Sequence, residues 1–200
     1  MAVVGLSGAQ GGGKSTLLEG LKQAGWTVDD FKVSRAVQAQ LGWVSLQQVL
    51  ESPRTMQTFQ DEVLKQKLER DQKLRCDSGL VLTERTFADI CAYTTYWTWE
   101  LVDARKWTLS EGAGWLHDYT RRCVEAQKRC YDAVLMLPYM SHVVWNGDPN
   151  RASFASVNTI WENLERFTQK MELLPIPSFY LRSASTEDRV NEVDAFLRTL

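Results

Sequence analysis

The segment Gly8-Ala9-Gln10-Gly11-Gly12-Gly13-Lys14-Ser15 has the spacing G-x-x-x-x-G-K-[ST], and the chemistry of that spacing is a grip on a triphosphate. Glycines let successive backbone N–H groups turn inward around phosphate oxygens, and the N-terminus of a following helix adds partial positive charge at the same place. Gly8, Gln10, Gly11, Gly12 and Gly13 are expected to form the cradle. Lys14 is expected to reach the β- and γ-phosphates and Ser15 to hold Mg²⁺, with Thr16 beside it in the first helical turn. ATP and Mg²⁺ are therefore the expected cofactors.

A second reactive pair follows the apolar run Leu80-Val81-Leu82-Thr83. Glu84 and Arg85 stand at the carboxyl end of what reads as a buried strand, the edge where ligands bind in open α/β sheets. Glu84 can act through water on Mg²⁺ or orient an acceptor. Arg85 can bridge acceptor and γ-phosphate as charge moves between them. Earlier in the chain, after the second expected strand, Arg35 can hold a substrate phosphate.

Those residues need elements to position them. Ala2–Ser7 reads as a short strand, rich in apolar residues and closed by glycines. Lys14–Ala24 carries Leu17, Leu18 and Leu21 at helical spacing, and Gly25 ends it. Further strands are expected at Trp26–Phe31, Leu80–Thr83, Ala133–Leu137 and Ser178–Leu181. Helices are expected at Met56–Leu74, Phe87–Asp103, Leu116–Cys130, Ser153–Met171 and Thr186–Leu200. Strands alternating with helices of this length require crossover connections, so the fold class is α/β: three layers around a roughly five-stranded parallel sheet. Residues 1–200 form one expected domain, with a polar, turn-rich loop at about 140–152.

The composition narrows the function. The 23 Lys and Arg against 25 Asp and Glu leave a net charge of −2, so a steady hold on nucleic acid cannot come from overall charge. The longest apolar run, Ala133–Met140, is far below the ~18 residues of a membrane span. The first residues run straight into the glycine loop and leave no room for a cleavable secretory signal, which points to the cytoplasm. Cys76, Cys91, Cys123 and Cys130 form no C-x-x-C pair, and His117 and His142 lie far apart, so no zinc spacing exists and the thiols carry no assigned chemistry.

Tryptophan is over-represented, with eight in 200 residues. Trp97, Trp99, Trp107 and Trp115 all follow the Glu84-Arg85 pair closely. Trp97, and Phe59 on the long helix beside the same cleft, can stack on a base. Core filling is the alternative for each of them. Arg105, Lys106, Arg121, Arg122, Lys128 and Arg129 give the middle of the chain a local positive bias, most of it on solvated helix faces.

With its glycine loop and Glu84-Arg85-Thr86, the chain resembles the P-loop nucleoside and nucleotide kinases. Deoxynucleoside kinases use a similar Glu-Arg-Ser, and thymidylate kinases follow their Asp-Arg element with a helix bearing Ala-Tyr, as Ala92-Tyr93 stands here. The layout is also similar to the ribosylnicotinamide kinase-like ATPase domains common in bacteriophage genomes. The resemblance implies a P-loop NTPase domain, a role for Tyr93 at the acceptor, and a lid arginine for which Arg151 is the candidate. It also implies a carboxylate base after the second strand, at Asp30, or at Asp29 if the strand ends earlier. Thr86 and Asp89 depart from the thymidylate kinase pattern, which has a Tyr or Phe and then a serine.

The resulting expectation is a phosphotransferase moving the γ-phosphoryl group of ATP to a nucleoside or a nucleoside monophosphate. Asp30 favours the first acceptor and Arg35 the second. A P-loop ATPase or switch protein, and a kinase acting on modified bases or ends in DNA, are the alternatives. The expected partner is the small-molecule acceptor, without membrane or nucleic acid, and a homodimer is an open possibility.

Overall fold

A computed structural model describes residues 2–76, 79–138, 154–170, 176–183 and 185–200. The five strands among them are β1 (Ala2–Ser7), β2 (Thr27–Asp29), β3 (Leu80–Glu84), β4 (Ala133–Met136) and β5 (Ser178–Tyr180). They form one sheet in the order β2-β3-β1-β4-β5, and every pairing is parallel. β1, β3 and β4 occupy the middle, and their near-continuous apolar sequences follow from being covered on both faces.

On one face Val4, Leu6, Leu82 and Leu135 pack with Leu17, Leu18 and Leu21 of α1 (Lys14–Gln23) and with Val193 and Leu197 of α7 (Thr186–Leu197). On the other face Val3, Val134 and Met136 meet a larger cluster. It is built from α2 (Val33–Gln40), α3 (Pro53–Leu74), α4 (Phe87–Asp103), α5 (Leu109–Cys130) and α6 (Phe154–Lys170). The three-layer α/β/α architecture expected from the alternating pattern is the one observed. Gly5 in the central strand has no room for a side chain: an added Cβ would lie 2.7 Å from the Thr86 methyl carbon and 3.3 Å from the Tyr131 ring.

Some boundaries differ from the sequence reading, for local reasons. The fifth helix begins at Leu109, ahead of the expected Leu116, because Thr108 caps it by accepting the Glu111 N–H. A Cβ at Gly112 would lie 3.0 Å from Val102, so the close approach of α5 to α4 uses a glycine. β2 is shorter than Trp26–Phe31, since Trp26 turns its indole N–H to Asp194 and the chain after Asp29 leads into α2, which the sequence reading lacked. α3 starts at Pro53 behind the Ser52 cap, rather than at Met56. No helix among the described residues is long and apolar enough to cross a membrane. The loop expected at about 140–152, with Arg151, lies outside the described residues.

Candidate active site

β1 ends at Ser7 and delivers the chain to the carboxyl edge of the sheet, where the glycine loop turns it into α1. Gly13 makes that turn as the residue before α1, with φ 85° and ψ 15°, a left-handed conformation that side-chain-bearing residues avoid. Lys14 is the first helical residue and is buried. Its ammonium donates to the carbonyl oxygens of Gly8 and, at 2.8 Å, of Ala9. Ser15 and Thr16 are exposed on the first turn of α1.

The register Leu6↔Glu84 sets the end of β3 beside the start of the loop. Glu84 is buried and pairs with the ammonium of Lys32, which also lies 3.3 Å from the Ser15 hydroxyl. Burial and the nearby Arg85 guanidinium hold the Lys32 ammonium below its usual pKa. Arg85 has φ 63°, in the left-handed region that non-glycine residues seldom occupy. Its N–H is fixed by the Leu6 carbonyl at 3.0 Å, and its guanidinium stacks over the Tyr93 ring at 4.9 Å.

Asp89 ties these parts together. Its carboxylate accepts from the Ser7 hydroxyl at 2.8 Å, the Gly8 N–H at 3.0 Å and the Thr86 N–H at 2.8 Å, while Thr86 caps α4. The glycine loop and the Glu84-Arg85 element thus hang from one buried carboxylate.

Ser15 and Glu84 suit Mg²⁺. Both offer oxygen donors, and both lie within reach of the single Lys32 ammonium, so one cation can be shared between them. Among the described residues no group of three or more His, Cys, Asp or Glu side chains gathers.

A cavity of about 60 Å³ that opens to solvent adjoins Glu84 and Arg85. Phe59, Tyr93 and Trp97 line it, with the Phe59 and Trp97 rings 6.0 Å apart and Tyr93 and Trp97 5.8 Å apart. Gln60 and Lys67 reach the same pocket from α3. The Gln60 side chain is 1% exposed, and its amide nitrogen has no hydrogen-bond partner among the described residues. Lys67 is 2% exposed and donates to Asp71 at 2.9 Å and to the Thr83 hydroxyl at 2.7 Å. Tyr131 donates to the other oxygen of Asp71. Burial pushes the Asp71 carboxyl up in spite of Lys67.

The structure therefore brings Lys14, Ser15, Glu84, Arg85, Phe59, Tyr93 and Trp97 to one edge of the sheet and separates Asp30, Asp29 and Arg35 from them. Asp30 is exposed and bonded to Lys22 at 2.8 Å, an interaction that lowers its pKa, and it does not line the pocket. Asp29 is taken by both guanidinium nitrogens of Arg70. Arg35 lies exposed on α2, outside the pocket lining. The sequence reading missed Lys32, Gln60, Lys67 and the bonding role of Asp89. It also missed Arg189, a buried residue of α7 whose guanidinium donates to the Gly12 carbonyl at 3.3 Å and the Ser183 carbonyl at 2.7 Å. Of these, only Asp89 had a legible signal, the Thr86-x-x-Asp89 capping box.

A phosphate loop on the central strand of a parallel sheet, with an acid and an arginine on the neighbouring strand end, defines a P-loop nucleotide-binding protein. A family model described as AAA domain matches residues 3–189, and the chain belongs to that family. No curated protein sequence matches it. Among solved structures it is similar to deoxyadenosine kinase from M. mycoides with the products dCMP and dCDP bound, at 14% identity and TM-score 0.68 over 99% of this chain and 100% of that one. The same kinase with dATP bound gives 15% identity and TM-score 0.69 over the same shares of the two chains. Shikimate kinase from Acinetobacter baumannii in complex with shikimate is similar at 12% identity and TM-score 0.56, over 100% of this chain and 94% of that one. The fold is thus that of the P-loop kinases.

Proposed function

We propose that the protein is an ATP- and Mg²⁺-dependent phosphotransferase that moves the γ-phosphoryl group to a nucleoside or nucleoside monophosphate. The observation that carries this reading is the shared edge: the glycine loop, Glu84 and Arg85 adjoin one aromatic-lined pocket. A hydrolase needs only a water beside the γ-phosphate, whereas here three aromatic side chains line the space next to Glu84 and Arg85, a lining suited to a planar organic acceptor. Phe59, Tyr93 and Trp97 would flank a base, and the partnerless Gln60 amide would donate to an acceptor atom on its edge.

In the transfer, the acceptor oxygen forms a bond to the γ-phosphorus as the bond from that phosphorus to the β–γ bridging oxygen breaks. The electron pair leaves with ADP. Glu84 is the carboxylate among the described pocket residues, and it takes the proton of a hydroxyl acceptor. Lys14 and Arg85 stabilise the charge on the migrating group from opposite sides. Mg²⁺, held by Ser15 and reached by Glu84 through a bound water, would neutralise phosphate charge and leave a Glu84 oxygen for the acceptor proton. Closure of a lid carrying Arg151 belongs to the same reading, as does residence in the cytoplasm, where ATP is supplied and the four free cysteines stay reduced.

The test is ADP formation from ATP and Mg²⁺, measured alone and with each of a panel of nucleosides and nucleoside monophosphates. Turnover that depends on one acceptor class supports the reading. Equal turnover with and without every acceptor overturns it in favour of an ATPase.

A further inference from the structure

We propose that Lys32 is a further catalytic residue, whose ammonium contacts the migrating phosphoryl group. The inference rests on the phosphotransferase reading above.

Lys32 stands in the connection between β2 and α2, immediately before the first residue of α2. Its ammonium meets two residues from different elements, the Glu84 carboxylate at the end of β3 and the Ser15 hydroxyl on the phosphate loop, at 3.3 Å from the latter. In the phosphotransferase reading these two groups flank the γ-phosphoryl group. The side chain is 39% exposed, so its four-carbon stem is free to swing the ammonium over a few ångströms.

Charge neutralisation elsewhere does not account for this placement. The two acids just before Lys32 are already satisfied by other cations, Asp29 by Arg70 and Asp30 by Lys22. Lys32 instead reaches past them into the neighbourhood of Arg85, a second positive charge. Lys32 and Arg85 bring two positive charges to the phosphate end of the pocket against the single buried carboxylate of Glu84, an excess that suits an anion.

The step also has a place for it. As the acceptor oxygen bonds to the γ-phosphorus and the bridging oxygen leaves with its electron pair on ADP, negative charge spreads over three equatorial oxygens. Lys14 approaches that group from the loop and Arg85 from the acceptor side. Lys32, turning from Glu84 to one of the equatorial oxygens, supplies the third contact and leaves the carboxylate free for the acceptor proton.

The test compares wild type, Lys32→Met and Lys32→Arg in acceptor phosphorylation, in ADP binding by calorimetry and in thermal unfolding. The expected result for Lys32→Met is a loss of about 100-fold or more in kcat, with ADP affinity changed less than about 3-fold and a melting temperature lowered only by the cost of leaving Glu84 unpaired. Lys32→Arg should recover part of kcat. An active wild type with Lys32→Met within about 3-fold of it in kcat overturns the inference alone. Loss of melting temperature and ADP binding together with kcat overturns it too, because Lys32 then only holds Glu84 in place. A wild type that phosphorylates no acceptor overturns the phosphotransferase reading itself.

Discussion

Asp89 accepts the Gly8 N–H at 3.0 Å, linking the first turn of α4 to the first residue of the phosphate loop. The same carboxylate serves the Ser7 hydroxyl and the Thr86 N–H, so one buried acid holds the loop and the strand end carrying Glu84 and Arg85 at a fixed separation. Asp89→Ala would leave those three donors without their acceptor. The expected loss is about 3 kcal/mol or more of folding stability, read in urea melts, with weakened ADP binding beyond it. Asp89→Asn keeps one carbonyl oxygen and should lose less of both.

Gln60 should show opposite signs for stability and function. Its buried amide nitrogen has no partner among the described residues, while the backbone carbonyl that accepts the Tyr119 hydroxyl at 2.9 Å does not depend on the side chain. Gln60→Met removes an unsatisfied donor, so stability should hold or rise by about 1 kcal/mol. The KM for the acceptor should rise about 10-fold with the KM for ATP unchanged, as expected for one lost hydrogen bond. Steady-state kinetics in both substrates checks this.

Glu84 and Asp30 can be separated as proton acceptors. Glu84 lines the pocket, whereas Asp30 is at the surface in its pair with Lys22. Glu84→Gln should lower kcat by about 100-fold or more, in the range of general-base losses. Asp30→Asn should leave kcat within about 3-fold of wild type. The reverse pattern would return the base to the β2–α2 connection.

Alkaline pH should unfold the protein through its buried tyrosines. Burial raises the hydroxyls of Tyr119 and Tyr131 well above the ordinary value of 10. The folded state therefore retains these protons where the unfolded chain releases them, and the associated stability, full below pH 10, falls as pH rises past it. Melting temperature followed from pH 8 to pH 11 should decline, with tyrosinate absorbance appearing only on unfolding. Tyr119→Phe should flatten the decline.

How legible this was in the sequence depends on how local each signal is. The phosphate loop and the Glu84-Arg85 pair are contiguous in the chain, and so is the alternation of Leu6 and Leu82 with their helices, so the sheet and its reactive edge could be read directly. The acceptor pocket depends on distant pairings. Lys67 and Asp71 look like an ordinary helix pair at i and i+4, and only packing against Thr83 and Tyr131 makes them buried. Lys32 shares a short polar run with Asp29 and Asp30, and nothing in that run tells which side chain turns toward Glu84. The acids were taken by Lys22 and Arg70, which lie 8 and 41 residues away. Aromatic residues were legible as a group, but Trp107 packs tilted against Trp115, which stacks on Tyr119, away from the pocket that Trp97 lines.

The central claim is that the γ-phosphoryl group goes to an organic acceptor beside Glu84 and Arg85. The most direct measurement is transfer from γ-labelled ATP with Mg²⁺ to separate pools of nucleosides, nucleoside monophosphates and single-stranded oligonucleotides, run beside Lys14→Ala. The account predicts label in one nucleoside or monophosphate product with wild type and none with Lys14→Ala. Label recovered only as inorganic phosphate whatever acceptor is present, or full transfer by Lys14→Ala, would contradict it.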